Sequence, residues 1–493
     1  MAISRRQLVT GTAAGVGLAF AGTVPIGTIA NAGSVPPQSP RPAARPFPPL
    51  VDDPDGLLAL PEGFTYQIVS ESGETDLDGG TGKTPGRMDG SAAFPADGNR
   101  TRLIQNHELW GRDSEFAVPH VDGTVYDPAA EVGGCTVVEL DDHGQRVSEW
   151  VGISGTSGNC AGGQTPWGTW MTCEETEERA GDVREAEGAE PVTWTKDHGY
   201  VFEVFPDTAE KQIPEPIKAF GRFAHEAVVI EPTRERAYLT EDASDPSGLF
   251  YRWSAPDGVM LAAGVARAIE PAAGVLAAMK VVLDDGSVLP DLAYVTSAQL
   301  GRPFNVEWTE VPDRDAQTTS TRKQLVAGTD VTAGKKLEGA WGDENGVYFC
   351  SAYAWEEGDL PIDATKHNGQ VWYYHYVDET VTLTTYFPHL ASTESEDHAA
   401  KYPDLYFDGP DNVTVTQWGT LILAEDGVGA SHVLSSVPGG PTYAIARTQL
   451  EVDGEFSEFT GPTFSPDGSI LFVNLQSPGI TFAISGPWAD YLG

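Results

Sequence analysis

The sequence predicts an all-β protein, and within that class a six-bladed β-propeller with long loops and short helical insertions. Short runs of β-branched and aromatic residues recur along the chain, separated by turn signals such as Pro256–Gly258 and Pro466–Gly468. Long helical periodicity is almost absent, and the best helix candidate, Gly264–Met279, is interrupted by Pro271. Several predicted strands end in an acidic or amide cluster, which indicates a repeated unit.

The composition excludes several functional classes. The chain has 493 residues, with 30 Lys and Arg against 72 Asp and Glu, and a formal net charge of −42. A simple electrostatic nucleic-acid binder needs a basic face, and an anionic membrane repels such a chain. With 40% hydrophobic residues the chain is not disordered by composition. The acidic excess fits both a solvated surface on an exported protein and carboxylates that hold hard cations.

The first 32 residues predict a twin-arginine signal peptide. The pair Arg5-Arg6 precedes a mild apolar run, Leu8–Ile29, and a small-x-small cleavage signal follows at Ala30–Ala32. A membrane anchor is the alternative, but Gly, Thr and Pro25 dilute the run. We therefore expect export to the periplasm, the cell wall or the medium through the twin-arginine machinery. That route carries folded proteins, often with a metal already loaded.

The rest of the chain predicts one domain. Residues 33–50 contain seven prolines and are expected to form a stiff linker. Residues 51–493 are expected to form a single propeller domain. The cysteines are Cys135, Cys160, Cys173 and Cys350. An oxidising compartment favours disulfides, but sequence alone does not pair them. No CxxC motif is present, which argues against a zinc ribbon.

Acidic pairs at strand ends are the main functional signal. The predicted strands and their terminal residues are Arg100–Gln105 with Asn106-His107-Glu108, Trp167–Cys173 with Glu174-Glu175, Arg236–Thr240 with Glu241-Asp242, and Trp418–Ala424 with Glu425-Asp426. Gly346–Ser351 and Leu471–Asn474 are further predicted strands. The innermost strand of each propeller blade faces the central channel, so ligands at one end of each such strand converge near the axis. Each glutamate alone is an ordinary turn residue, whereas the set predicts a ring.

A resemblance to a known family follows from these and neighbouring segments. The segments that carry it are Asn159–Glu175, Gly221–Glu226, Thr240–Asp242, Leu337–Gly339, Asp411-Asn412, Glu425-Asp426 and Gly461–Gln476. They closely resemble the signature of the PhoX-type alkaline phosphatases and occur in family order. The resemblance runs from about Gly56 to Trp488, and Cys160–Glu175 is its most specific part.

The resemblance implies a propeller that holds two ferric ions and neighbouring calcium ions and hydrolyses phosphate monoesters outside the cytoplasm. It implies Cys160 as the thiolate that bridges the two irons, and Glu174 and Glu241 as iron ligands. Calcium, alone or together with iron, would be held by Glu226, Glu338 and Glu425. Further candidate ligands are Glu108, Glu175, Asp242, Asp411, Asn412 and Asp426.

Three neighbouring residues have alternative interpretations. Arg222 is expected either to bind the substrate phosphate, as a catalytic residue beside Cys160, Glu174 and Glu241, or to pair with a carboxylate. His107 and His225 each precede a glutamate and are expected to orient it rather than bind a metal.

Two other functions stay open at this stage. One is a calcium-dependent propeller hydrolase of other esters, such as a phytase, phosphodiesterase or lactonase. The other is a non-catalytic, calcium-stabilised binding propeller. Colour separates them from the phosphatase, because a ferric thiolate absorbs visible light and calcium does not. The expected partner is a small phosphate ester, with no nucleic acid, no stable membrane anchor and a monomeric chain.

Overall fold

The computed structural model describes residues 45–110, 116–129, 132–184, 191–207, 212–354 and 365–493. The predicted signal peptide and most of the predicted linker lie outside the described residues. Within them the fold is all-β with a propeller-like arrangement, which confirms the predicted class. No helix in these ranges is long and apolar enough to cross a membrane.

The strands are numbered in chain order. They are β1 (Leu50–Val51), β2 (Leu58–Pro61), β3 (Thr65–Glu71), β4 (Met88–Ala96), β5 (Arg100–His107), β6 (Gly133–Leu140), β7 (Arg146–Thr156), β8 (Asn159–Gln164), β9 (Trp170–Glu174), β10 (Val183–Arg184), β11 (Val192–Thr193), β12 (Val201–Val204), β13 (His225–Ile230), β14 (Arg236–Glu241), β15 (Gly248–Ser254), β16 (Val275–Val282), β17 (Pro303–Glu310), β18 (Ala333–Gly334), β19 (Leu337–Gly342), β20 (Gly346–Ser351), β21 (His367–His375), β22 (Thr380–Pro388), β23 (Pro410–Val415), β24 (Leu421–Glu425), β25 (His432–Ser436), β26 (Thr442–Thr448), β27 (Glu451–Val452), β28 (Glu455–Phe456), β29 (Phe459–Phe464), β30 (Ile470–Leu475) and β31 (Ile480–Ser485).

In the part of the chain that the structure describes, helical structure is confined to short insertions, as predicted. The α-helices are α1 (Ser392–Lys401) and α2 (Trp488–Leu492). Single 3₁₀ turns occur at Asp78–Gly80, Lys218–Phe220, Ala266–Ala268, Leu292–Tyr294, Ser297–Gln299 and Thr321–Gln324.

The strands form antiparallel sheets, most of them built from strands that follow one another in the chain. One sheet contains β4 to β7, and a second contains β8, β9 and β12. A third joins β1 and β2 to β23–β26, and a fourth joins β3 to β29–β31. The largest runs from β13 through β17 and β22 to β19, with β18 beside β15. Its two end strands, β13 and β19, contact each other, so this sheet is nearly closed into a barrel.

Six strands of the described chain form a ring in which each strand packs against the one before it and the one after it. The strands β4, β8, β13, β19, β23 and β29 contact one another in this order, and β29 returns to β4. We call them the ring strands. The pairing register of each ring strand shifts near its start, which marks a β-bulge there. Bulges re-aim side chains and are frequent beside functional sites.

The predicted strands are present, but their place in the sheets differs from the prediction. The strands that carry the terminal acidic pairs are β5, β9, β14 and β24, and each pairs with a ring strand as the second strand of its sheet. Because the two strands are antiparallel, the end of the second strand lies beside the start of the ring strand. Both sets of residues therefore meet at the same end of the ring.

The predicted helix at Gly264–Met279 is wrong. That segment contains a single 3₁₀ turn and then enters β16, which pairs with β15 and β17. Leu276 and Ala278 of β16 are fully buried between packed sheets. Helix propensity of an alanine-rich segment is a weak preference, and burial of a strand outweighs it here.

Two further observations concern the predicted domain boundary and the cysteines. Phe47, at the end of the predicted linker, stacks on Tyr491 with ring centroids 4.7 Å apart, so this part of the segment packs on the domain. All four cysteines are buried free thiols, and the disulfides that an oxidising compartment favours do not form.

Candidate metal centre

The starts of the ring strands place acidic side chains and one thiol together. The second residues of the ring strands are Asp89, Cys160, Glu226, Glu338, Asp411 and Thr460. Asp89, Glu226 and Glu338 are buried although they are acidic. Each lies at the bulge, where the strand departs from regular pairing and turns the side chain toward the ring axis.

Two compact groups of ligand atoms result. The Cys160 Sγ and carboxylate oxygens of Glu175 and Glu226 lie within 4.8 Å of one another. Carboxylate oxygens of Glu226, Glu338 and Asp411 form a second group with the same spacing. Glu226 belongs to both groups and therefore connects them.

The ends of the second strands supply further oxygens at the same place. Glu108, Glu175, Asp242 and Asp426 each follow the last residue of a second strand and are half-buried, and Gln476 takes this position after β30. The Gln476 amide donates to the Glu108 carboxylate at 2.6 Å and to Asp89 at 3.4 Å. Glu458, just before β29, is close enough to interact electrostatically with Asp426, Glu108 and Asp89. We call the whole set the acidic cluster: Asp89, Glu108, Glu175, Glu226, Asp242, Glu338, Asp411, Asp426 and Glu458.

The acidic cluster is electrostatically strained without cations. Burial and the neighbouring carboxylates raise the pKa of Asp89, Glu175, Glu226, Asp411 and Glu458 well above their usual range. Burial and Asp242 raise the pKa of Glu338 to about 7. Like charges this close disfavour joint ionisation unless a cation is added.

Two basic side chains lie beside the cluster. The Lys336 ammonium is 2.7 Å from Glu338 and 3.5 Å from Asp242. Burial lowers the pKa of Lys336, but the charges of Asp242 and Glu338 raise it by more. The pKa therefore lies well above its usual value, and the ammonium stays charged. Arg87 donates to the Gln476 side-chain oxygen, and its charge opposes the upward pKa shift of Glu108.

Lys336 and Arg87 share a strained backbone. Both have left-handed φ values, 47° and 49° respectively, and each directly precedes a ring strand. Residues other than glycine rarely adopt this conformation, and it concentrates at functional sites. Local backbone strain is therefore present where the chain positions the charged side chains of Lys336 and Arg87.

The donor set fits bound cations. Among the described residues, Asp89 Oδ1 and Asp242 Oδ1 are buried without a hydrogen-bond partner. An orphaned carboxylate oxygen is costly to bury, and in a cluster of other ligand atoms a metal ion would satisfy it. Burial and Glu226 raise the pKa of the Cys160 thiol, so its thiolate needs a cation beside it.

Comparison with known proteins agrees with this geometry. The model of the family described as alkaline phosphatase PhoX matches residues 45–148 and 142–479. The chain belongs to that family. It is therefore a phosphatase, a hydrolase of a metal-dependent and typically exported family. No curated protein sequence matches the chain significantly.

One solved structure supports the fold of this PhoX-family chain. Pseudomonas fluorescens PhoX in complex with vanadate, a transition state analogue, has a TM-score of 0.63 and 18% identity, covering 90% of this chain and 97% of that one. A virginiamycin B lyase from Staphylococcus aureus with quinupristin shares 11% identity at TM-score 0.33, covering 86% of this chain and 99% of that one. A gluconolactonase from Xanthomonas campestris shares 12% identity at the same TM-score, covering 91% and 99%.

The structure does not bring Glu174 to the acidic cluster, although the sequence predicted it as an iron ligand. Its carboxylate accepts hydrogen bonds from the backbone N–H groups of Ser157, Gly199 and Tyr200 and from His198 Nδ1 at 2.6 Å. Neighbouring residues of an extended chain point to opposite sides. Glu175, next in sequence, therefore faces Cys160 instead.

Glu241 and Glu425 were also predicted as metal ligands, and each is the first member of an acidic pair, as Glu174 is. Both point away from the acidic cluster. Glu241 accepts from Arg322 at 2.8 Å and from the Tyr251 hydroxyl at 2.7 Å. Glu425 accepts from His432 Nδ1 at 2.8 Å. In both pairs the following aspartate, Asp242 or Asp426, is the member that joins the acidic cluster.

The contacts of Arg222 are with backbone and differ from the carboxylate pairing predicted as one of its two roles. Its guanidinium is buried and donates to backbone carbonyl oxygens of Glu177, His198, Asp315 and Ala316. These contacts join separate loops and involve no carboxylate side chain. In this PhoX-family chain Arg222 is a structural bridge.

The remaining predicted residues support the ring. Asn412 donates to Asp411 at 3.1 Å and accepts from the Gly461 N–H at 2.6 Å, so it positions Asp411. His107 bonds to the Gly86 carbonyl at 2.8 Å, and His225 bonds to the Gly221 carbonyl at 3.1 Å. Both imidazole rings therefore fix a neighbouring backbone segment and not the glutamate that follows them.

Sequence reasoning missed several residues near the cluster: Asp89, Glu458, Lys336, Arg87 and Gln476. A weak signal was present in four of the ring strands, β4, β8, β13 and β19, because an acidic residue or cysteine is followed there by glycine or alanine. A Cβ at Gly90 would lie 2.6 Å from the Ala161 Cα, and one at Gly339 would lie 2.8 Å from the Asn412 Cα. Neighbouring ring strands approach too closely for a larger side chain.

Proposed function

We propose that this protein hydrolyses phosphate monoesters outside the cytoplasm, at a cluster of ferric and calcium ions held at the starts of the ring strands. The observation that carries the proposal is the convergence of the Cys160 thiol and the carboxylates of the two ligand groups, beside which Asp89 and Asp242 each have an orphaned oxygen. Such a set fits several cations and leaves no need for a serine nucleophile.

We also propose that the propeller has six blades. The ring strands of the described residues contact one another in a closed order. The largest sheet contributes two of them, β13 and β19, and its halves are joined where β17 pairs with β22. On this interpretation the sheet is two blades joined at their outer edges.

The donor types suggest which cation lies where. A thiolate is a soft ligand and favours a transition metal, so the group of Cys160, Glu175 and Glu226 suits iron, with Cys160 between two irons. The all-oxygen group of Glu226, Glu338 and Asp411 suits calcium. The other members of the acidic cluster complete these shells, whereas the oxygens of Glu174, Glu241 and Glu425 are already engaged.

The ions would polarise the phosphoryl oxygens, activate an oxygen nucleophile and neutralise the leaving alkoxide. The chain itself supplies placement and charge. Lys336 and Arg87 add fixed positive charge beside the cluster, where a phosphate dianion needs it. The overall charge of −42 repels such a substrate everywhere else, so binding is confined to the cation-loaded cluster.

Export by the twin-arginine route is part of the proposal. The motivation is Arg5-Arg6 with the cleavage signal at Ala30–Ala32. The candidate ligands come from sheets spread over the chain, so the site exists only in folded protein. A route that carries folded proteins is compatible with loading metal before export. We propose a monomer as the active unit.

The test compares Cys160→Ser with Cys173→Ser. Cys173 is a buried free thiol on the adjacent strand and lies outside both ligand groups. We expect Cys160→Ser to lose iron, visible colour and phosphomonoesterase activity together, since a serine hydroxyl is far harder to deprotonate. Cys173→Ser should lose only stability. Full iron content and colour in folded Cys160→Ser would refute the iron assignment.

A further inference from the structure

We infer that three glutamates position the metal-facing carboxylates without binding metal themselves. They are Glu174, Glu241 and Glu425, called the backing glutamates below. Each immediately precedes a carboxylate of the acidic cluster. The inference rests on the proposed metal site and assigns it positioning residues.

Glu174 shows the arrangement most fully. Its Oε1 accepts from the Ser157 N–H at 3.0 Å, and its Oε2 accepts from the Gly199 N–H at 2.9 Å. The Glu175 N–H donates in turn to the Gly158 carbonyl at 2.9 Å. The turn at Ser157-Gly158 leads directly into β8 and Cys160. Glu174 therefore fixes Cys160 and Glu175 relative to each other through the backbone.

Glu425 repeats the arrangement in another sheet. It accepts from the Asp408 N–H at 2.9 Å, in the turn before the ring strand β23. It also accepts from the His432 N–H at 2.9 Å, at the start of β25. One carboxylate thus holds together the start of the ring strand, the end of the second strand and the start of the third.

Glu241 makes the corresponding contact on one side. It accepts from the Leu249 N–H at 3.2 Å, at the start of β15, which is the third strand of its sheet. All three backing glutamates therefore join the end of a second strand to the beginning of a third. The same device in three separate sheets argues against a coincidence of local packing.

Each backing glutamate also has a buried or half-buried basic partner. The partners are His198 for Glu174, Arg322 for Glu241 and His432 for Glu425. Buried charge needs such a partner, and here it balances charge directly behind the acidic cluster. With their lone pairs occupied, these glutamates have little capacity left for a cation.

Positioning of this kind has a measurable effect. Metal ligands must be held close to their final geometry, and loss of an outer hydrogen-bonding partner typically weakens metal affinity about 10- to 100-fold. A ligand substitution removes a donor, so it lowers the number of ions bound at saturation. A positioning substitution lowers affinity while the number of ions at saturation is retained.

The experiment compares Glu174→Gln with Glu175→Gln, with Glu149→Gln as the matched control. Glu149 is a fully buried glutamate bonded to Thr84 and Arg146, and it is absent from both ligand groups. Calcium affinity and iron stoichiometry are measured on the folded fraction, with KM and kcat as further readouts. We expect Glu174→Gln to bind the full number of ions with about tenfold or greater loss of affinity. Glu175→Gln should bind fewer ions.

Two results would overturn the inference. A loss of stoichiometry in Glu174→Gln equal to that of Glu175→Gln would make Glu174 a ligand. Unchanged affinity in folded Glu174→Gln, as expected for Glu149→Gln, would make it purely structural. Should Glu174→Gln not fold, Glu425→Gln makes the same change at a second backing glutamate, and it is measured by the same criteria against Glu149→Gln. Unchanged metal binding in both Glu175→Gln and Glu226→Gln would instead refute the proposed metal site itself.

Discussion

The ammonium group of Lys336 lies 2.7 Å from the carboxylate of Glu338, two residues further along the chain. Glu338 belongs to the all-oxygen ligand group, so this contact places a fixed positive charge at the edge of the acidic cluster. The left-handed backbone at Lys336 holds it before the start of β19. A cation held this way can meet an incoming phosphate without reorganising.

Replacing Lys336 with methionine should weaken substrate binding. Loss of a charged hydrogen bond costs about 1.5 to 3 kcal/mol, which corresponds to a roughly ten- to hundredfold fall in kcat/KM. Lys336→Arg keeps the charge and should lose less. Steady-state kinetics with a phosphomonoester checks this, and an unchanged kcat/KM in Lys336→Met would remove Lys336 from substrate binding.

Removal of calcium should abolish activity and lower the melting temperature together. Ligand binding to the folded state alone contributes about 2.7 kcal/mol per site at one hundred times Kd. The carboxylates of the acidic cluster also repel one another once the cations leave. Calorimetry and a phosphatase assay before and after exhaustive chelation test this. Full activity with unchanged melting would contradict it.

The metal-free protein should become less stable as the pH rises from about 5 to about 8. Glu338 has a folded-state pKa of about 7, above its ordinary value, so its contribution to stability is present at low pH and lost as the pH rises through 7. Asp89, Glu226 and Asp411 shift in the same direction. Denaturant unfolding of chelated protein at several pH values measures the trend.

Calcium-loaded protein provides the control for that pH series. Cations compete with protons for the same carboxylates, so loading should flatten or reverse the loss of stability between about pH 5 and about pH 8. A metal-free protein that gains stability over this range would show that the cluster does not hold protons in place of cations.

Arg222→Gln should lower stability without changing KM. The substitution leaves buried carbonyl oxygens without a donor, at about 1 to 3 kcal/mol for each unsatisfied group. Arg302→Gln, which removes an exposed ion pair with Asp284, should change stability by less than about 1 kcal/mol. A raised KM in folded Arg222→Gln would restore the phosphate-binding role that the sequence suggested.

Replacing Arg5 and Arg6 with lysine should keep the precursor inside the cell. The twin-arginine machinery reads the arginine pair, so a charge-conserving change blocks export without altering the folded domain. Fractionation of cells that express both forms gives the answer. Undiminished export of the lysine variant would exclude this route.

Much of the fold could be predicted from local pattern. The strand predicted at Gly346–Ser351 has the same bounds in the structure. The one predicted at Arg236–Thr240 is one residue longer at its end, and the one predicted at Leu471–Asn474 is one residue longer at each end. Turn residues and β-branched runs are local signals, and they suffice for strands. The position of a strand within its sheet depends on long-range pairing, so the acidic pairs were assigned to innermost strands although they end second strands.

The candidate site was predictable as a region but not residue by residue. In Glu174-Glu175, Glu241-Asp242 and Glu425-Asp426, composition cannot decide which member faces the ring. That choice depends on strand orientation and on partners distant in sequence, such as His198 for Glu174 and Arg322 for Glu241, which are 24 and 81 residues further along the chain. Asp89 and Lys336 lack a neighbouring acidic residue in sequence, so the strand-end pattern could not reveal them.

The pairing of β3 with β31 has a consequence for the order in which the protein is made. Thr65–Glu71 completes a sheet whose other strands end at Ser485, and β2 likewise joins β26. The ring of sheets cannot close during translation until β31, which ends at Ser485, has left the ribosome. A nascent chain that stops before β31 leaves β3 without its partner strand, so the ring that positions the acidic cluster closes only after these last strands have been made.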